Sequence, residues 1–167
     1  FKTLHYKSEK TNVTVDLPKE HIWFAAQEKT KSGIIFSANI PTEEVFTLPH
    51  KYGVNGTISS TLPLQYAGNT IDEFTLTFKD GKIINFSAEK GYEILRDLIS
   101  LDEGASYLGE VAIVPIDSPI YQSKTIFCNT LYDENASCHF AIGSAYPNTI
   151  TNGESFSSEE KEIHGVN

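Results

Sequence analysis

Between Gly53 and Ala88 apolar and polar residues alternate with a period close to two, in Ile58-Ser59-Ser60-Thr61-Leu62, Phe74-Thr75-Leu76-Thr77-Phe78 and Ile83-Ile84-Asn85-Phe86. Such alternation sends successive side chains to opposite faces of a half-buried strand, and a helix cannot satisfy it. The last two runs are separated by Lys79-Asp80-Gly81-Lys82. Asp-Gly is the favoured pair for a tight hairpin, where both central residues take positive φ. The middle of the chain therefore reads as an antiparallel meander.

The same reasoning extends outward. Asn12 to Leu17 alternates β-branched with polar residues and stops at Pro18, as a strand does. Gln27 to Gly33 reads as a polar linker leading into the apolar run Ile34-Ile35-Phe36, and Pro41 forbids simple strand continuation after it. Glu89 to Leu101 sets Tyr92, Leu95, Leu98 and Ile99 at helical spacing, the one long amphipathic helix. Leu108 to Pro115 and Lys124 to Leu131 read as strands. Asp133 reads as an N-cap for helix-compatible residues running towards Ala145, and Ser157-Ser158-Glu159-Glu160 as a helix start or a solvated loop. The expected fold class is α+β, β-rich, mainly antiparallel sheet or barrel-like with few helices, in one domain.

Charge and cysteine usage narrow the function. With 22 acidic against 13 basic residues the formal charge is −9, so a nucleic acid partner is excluded on average by repulsion. No apolar run approaches the roughly 18 residues of a membrane helix, and no membrane partner is expected. Cys128 and Cys138 are too few for a disulfide framework and lack zinc-ribbon spacing, which points to a reducing, cytoplasmic setting. Sequons at Asn12, Asn55, Asn85 and Asn135 are the counter-signal. A start at Phe1 and a sequence with no Met lead to the expectation that this is a piece of a longer protein.

Chemistry is sought among carboxylates and histidines. Glu110 interrupts the strand-like Leu108-Gly109-Glu110-Val111-Ala112-Ile113-Val114. Facing a core it would cost several kcal/mol unless paired or metal-bound, while alternation also lets it face water opposite Val111 and Ile113. Glu43 and Glu44 follow Pro41 and, taken alone, read as first-turn acids of a helix. His139 reads as a core or helix-face histidine, with Glu134 a first-turn acid, although metal ligands are drawn from this set. The cysteines read as small buried apolar groups, and His5, His21, His50 and His164 as structural. Trp23 reads as the anchor of the first strand pair. Glycine-rich phosphate loops and a nucleophile elbow are absent from the sequence.

Five ordered runs then carry a resemblance. They are Asn39-Ile40-Pro41-Thr42-Glu43-Glu44-Val45-Phe46-Thr47, Val54-Asn55-Gly56-Thr57-Ile58, Phe86-Ser87-Ala88-Glu89-Lys90-Gly91, Tyr107-Leu108-Gly109-Glu110-Val111-Ala112, and Asn129-Thr130-Leu131-Tyr132-Asp133-Glu134-Asn135-Ala136-Ser137-Cys138-His139. Together they resemble the aminopeptidase T and aminopeptidase S family of metallo-aminopeptidases. The resemblance implies that residues 1–167 are a metal-binding catalytic domain fragment, with an N-terminal α/β part absent. It also implies a cocatalytic site of two divalent metal ions, of zinc, cobalt or manganese. By motif, Glu44 would be a ligand, Glu110 the carboxylate shared between the ions, His139 another ligand and Glu134 a further one. Tyr146 matches the family tyrosine beside the site and is expected to donate a hydrogen bond to the oxyanion of the reaction. The general base would be Glu43 or Glu134. A His-x-Asp pair that supplies further ligands in the family has no counterpart here, and His164 is not that ligand.

The expected function is a metal-dependent aminopeptidase that releases N-terminal amino acids from peptide substrates through activated water, a homodimer in its full-length form. By itself this sequence would then be inactive. The alternatives are a non-enzymatic β-rich binding or assembly module with solvated acids, and a different metal hydrolase on the same scaffold.

Overall fold

The computed structural model describes residues 1–25, 27–37 and 42–167. Its larger sheet is the meander expected from the alternating runs, extended at one side by the N-terminal strands. β1 (Thr3–Lys7), β2 (Asn12–Asp16), β7 (Val54–Ser59), β10 (Thr75–Lys79) and β11 (Lys82–Ser87) lie side by side in that order, every pairing antiparallel. Asp80 and Gly81 join β10 to β11 at φ 49° and 82°, the two left-handed residues the Asp-Gly pair announces.

A second sheet of four antiparallel strands carries what matters for function. Its order is β13 (His139–Ile142), β12 (Leu108–Ile113), β6 (Val45–Thr47) and β3 (Phe24–Ala25). The two sheets meet across one core that includes Val13 and Val15 of β2, Val54 of β7, Leu76 and Phe78 of β10, and Leu108 and Val111 of β12. The helix α1 (Tyr92–Ile99) adds Leu95 and Ile99 to it, as the helical spacing requires. Tyr6 of β1 meets Phe140 of β13 edge to face at 4.7 Å. Trp23, with Phe1, Leu4, Val45 and Ile113, lines an apolar hollow, so it ties β1 to the second sheet rather than anchoring the first strand pair alone.

Several expectations are corrected. No closed barrel forms among the described residues; both sheets have free edges. The supposed linker at 27–33 opens with β4 (Gln27–Lys29), which pairs with β5 (Ile35–Ser37) around a turn in which Gly33 has φ 90°. Ile34, Ile35 and Phe36 are left exposed. β8 (Leu64–Tyr66) and β9 (Asn69–Ile71) form a further two-stranded hairpin.

Lys124 to Leu131 is not a strand, because side chains cap the backbone locally instead. Ser118 caps α2 (Pro119–Ser123), and Lys124 ends that helix in the left-handed conformation. Asn129 caps α3 (Thr130–Asp133), and the Asp133 carboxylate accepts from the N–H groups of Phe127 and Asn129. Asp133 is thus the last residue of a helix rather than the cap of one. The chain runs on through a 3₁₀ turn at Glu134–Ala136 into β13, where a helix had been expected. Both cysteines are exposed and unpaired rather than buried, Cys128 standing in a turn at φ 56°. The tail forms α4 (Ser158–His164) with a complete capping box between Ser157 and Glu160. No described helix is long and apolar enough to cross a membrane.

At Gly81 positive φ coincides with a close approach: a Cβ there would overlap the carbonyl oxygen of Lys51. Gly81→Ala is therefore expected to cost more than about 2 kcal/mol of stability. A thermal or urea unfolding curve checks this, and a midpoint unchanged from the parent would contradict the tight β10–β11 turn.

Candidate metal centre

Strand β12 does not alternate cleanly, and the irregularity aims Glu110. Pairing with β13 passes from Leu108↔Ile142 directly to Glu110↔Ala141, leaving Gly109 as the extra residue of a bulge. Leu108 and Val111 can consequently both enter the core, while Glu110 turns to the other face. A side chain at Gly109 would overlap the carbonyl oxygen of Gly143, so this bulge needs glycine.

On that other face the register lines up Phe24, Phe46, Ala112 and His139 in one row across the sheet. Ala112, fully buried, is the small residue between β6 and β13. Glu44, two residues before Phe46, and Glu110, two before Ala112, converge there on His139. One donor atom from each of Glu44, Glu110 and His139 lies within 4.8 Å of the other two. His139 Nε2 is 2.8 Å from Glu44 Oε2 and 3.6 Å from Glu110 Oε1, with the three side chains only 10–16% exposed. Glu110 thus faces neither water nor the apolar core. Glu44 precedes a strand, not a helix, and His139 lies on a strand. Pro41, after which the helix reading was placed, and Asn39 and Ile40 of the first motif run lie outside the described residues.

The donor set fits a divalent cation. Nδ1–H of His139 donates to the Ser137 carbonyl at 3.1 Å, which directs Nε2 at the carboxylates. Glu44 Oε2 and His139 Nε2 are sealed from solvent, and their contact is not aligned as a hydrogen bond. Buried polar atoms are normally satisfied, and two unsatisfied ones facing each other beside a second carboxylate are what a cation would complete. Burial lowers the pKa of the His139 ring, but Glu110, Glu44 and the Ser137 carbonyl outweigh it and hold it up to about 10. In the metal-free chain a proton thus supplies the missing positive charge.

Glu134 lies outside this three-donor group. Its carboxyl is lifted to about 7, first by burial and then by the charges of Glu44 and Glu110, with His139 pulling the other way. It therefore lies within electrostatic reach of the cluster. Tyr146 is 61% exposed and its ring sits 6.1 Å from that of Phe46, on the cluster's side of the sheet. The backbone N–H of Glu43 donates to Asn135 Oδ1 at 2.8 Å. Asn135 is completely buried; it, Ala112 and Phe46 all lie in the motif runs, but the sequence gave none of them a role at the site. The other histidines are locally engaged: His21 with the Pro18 carbonyl, His5 with Asn12, His50 with the Tyr52 N–H and His164 stacked on Phe156.

Comparison with known proteins gives the family of the chain. The chain is 55% identical over all 167 residues to aminopeptidase 2 of Geobacillus stearothermophilus, and covers 40% of that protein. It is 41% identical over 159 residues to aminopeptidase T of Thermus aquaticus, with 93% of this chain and 39% of that protein aligned. The solved structure of wild-type AmpT from Thermus thermophilus superposes with a TM-score of 0.92 at 41% identity, over 100% of this chain and 41% of that one. The chain thus spans about two fifths of the length of the curated relatives it matches. The thermophilic metalloprotease (M29) family model matches residues 1–167, and the chain belongs to that family.

Proposed function

We propose that this chain is the metal-bearing part of an aminopeptidase that removes N-terminal residues from peptides, with Glu44, Glu110 and His139 as metal ligands. The observation that carries this reading is the pair of buried, unsatisfied atoms, Glu44 Oε2 and His139 Nε2, beside Glu110. The aminopeptidase names of the relatives support the reaction class. Divalent ions of zinc, cobalt or manganese, when bound, supply Lewis acidity towards a peptide carbonyl and lower the pKa of water. Glu110 is assigned the carboxylate shared by two ions, which its place on the strand between β6 and β13 supports. We extend the proposal to a homodimer of the longer protein acting in the cytoplasm, a reading that rests on the family resemblance.

The chain's own residues have separate tasks. Glu134, whose carboxyl titrates near neutrality beside the ligands, is proposed to accept and release the proton of the reaction. It is preferred to Glu43 because the charges of Glu44, Glu110 and His139 all reach it. The Tyr146 hydroxyl is proposed to donate to the developing oxyanion, which the exposed ring beside Phe46 leaves free to meet substrate.

Four outcomes follow, all measured on the full-length protein carrying this chain. Glu110→Gln and His139→Ala should each lower bound metal by elemental assay and cut hydrolysis of an aminoacyl amide at least about 10³-fold; unchanged metal content would reject the ligand assignment. Chelation should abolish turnover and added cobalt or zinc restore it, while an N-acetylated substrate stays intact; cleavage of the blocked substrate would favour a different hydrolase. Tyr146→Phe should lower kcat by about tenfold or more with little change in KM, and a parental kcat would remove Tyr146 from the reaction. In the metal-free chain the Glu134 carboxyl carbon should titrate near pH 7 by NMR. Glu44→Gln, by removing a nearby negative charge, should move that titration to lower pH, and an unmoved midpoint would separate Glu134 from the cluster.

A further inference from the structure

Glu44 and His139, whose donor atoms lie 2.8 Å apart, come from strands that are not hydrogen-bonded to one another. Glu44 enters β6, His139 opens β13, and β12 runs between them. β12 pairs with both strands and sets the spacing of β6 from β13, but the β6 ladder begins at Val45, so Glu44 lies just beyond the residues it holds. One buried side chain, Asn135, reaches from the segment that leads into Glu44 to the segment that leads into His139.

Asn135 is 0% exposed, and its polar groups are engaged on three sides. Its Oδ1 accepts the N–H of Glu43 at 2.8 Å, across 92 positions of sequence. Its Nδ2 donates to the Leu131 carbonyl at 3.2 Å, on α3. Its own carbonyl accepts from Ser118 Oγ at 2.5 Å, and Ser118 is itself buried at the start of α2. One amide therefore joins the residue before Glu44 to the segment that follows with His139 four positions later. Burying an amide side chain is unfavourable unless each group finds a partner. Here the partners are the two segments that deliver the ligands.

We propose that Asn135 is a positioning residue that holds the Glu44 carboxylate against His139 and Glu110 before any ion arrives. The inference rests on the metal-site reading of the cluster and deepens it. It also accounts for a polar side chain at a fully buried position where an apolar one of equal size would pack. Outer partners that fix a ligand's place are generally worth about 10- to 100-fold in metal affinity. Glycosylation at this sequon is excluded by the burial of Asn135 in the folded chain.

The test compares zinc affinity, by competition with a chromophoric chelator, in the full chain and in Asn135→Leu, which keeps the volume and removes both amide groups. A second variant, Ile83→Ala, destabilises the core of the other sheet without touching the site and serves as the stability-matched comparison. The expected result is zinc binding at least tenfold weaker in N135L, an altered visible spectrum of its cobalt form, and parental affinity in I83A. Affinity in folded N135L within threefold of the parent would overturn the proposal. If the parent itself takes up no zinc, the metal reading fails, which is a different result. Hydrogen exchange of the Glu43 amide in the metal-free parent gives a reading that needs no variant. Slow exchange is expected, and exchange at the rate of an open loop would overturn the role of Asn135 even if N135L does not fold.

Discussion

Two carboxylates and an imidazole converge on one largely buried spot of a β-sheet, and negative charges held there repel each other unless a positive charge joins them. In the metal-free chain His139 carries that charge as a proton, held by Glu110 and Glu44 against the cost of its burial. A divalent cation would replace the proton with a larger charge and satisfy Glu44 Oε2 and His139 Nε2 together. Much of the local architecture serves this arrangement. The Gly109 bulge turns Glu110 out of the core, and Asn135 fastens the segment leading to Glu44.

The meander was legible because its alternation and its Asp-Gly turn are short-range signals that tertiary packing reinforces. The same kind of signal failed at Lys124 to Leu131, where β-favouring residues lost to the caps supplied by Ser118 and Asn129 and to the Asp133 carboxylate. The hairpin over Gln27–Ser37 was missed because its strands are short, polar on one arm and unsupported by the core. Alternation could not place Glu110, since the bulge one residue earlier resets the faces of β12, and a bulge is a property of two strands rather than one. Glu44 was misread on local grounds as a helix acid, and only the family resemblance singled it out.

The site residues show the same division between local and long-range information. Glu44, Glu110 and His139 are separated by 66 and 29 positions and meet only through the pairing of β6, β12 and β13. Motif likeness drew attention to all three, and the fold explains why they belong together. Asn135 lies in the same run as His139 but was assigned no role, because a sequon reads the same whether its asparagine is exposed or buried. The match to the M29 metalloprotease family over all 167 residues joins these observations. The relatives are about two and a half times as long, so the reaction itself is proposed for the longer protein rather than for these residues alone.

The central claim is that Glu44, Glu110 and His139 hold a metal ion directly. X-ray absorption at the cobalt edge of the cobalt-loaded protein tests it most directly, because imidazole and carboxylate ligands give different outer-shell scattering. The account predicts an oxygen and nitrogen shell that includes one imidazole, with the imidazole signal lost in His139→Ala. A cobalt shell without imidazole in the parent protein, or one left unchanged by His139→Ala, would contradict it.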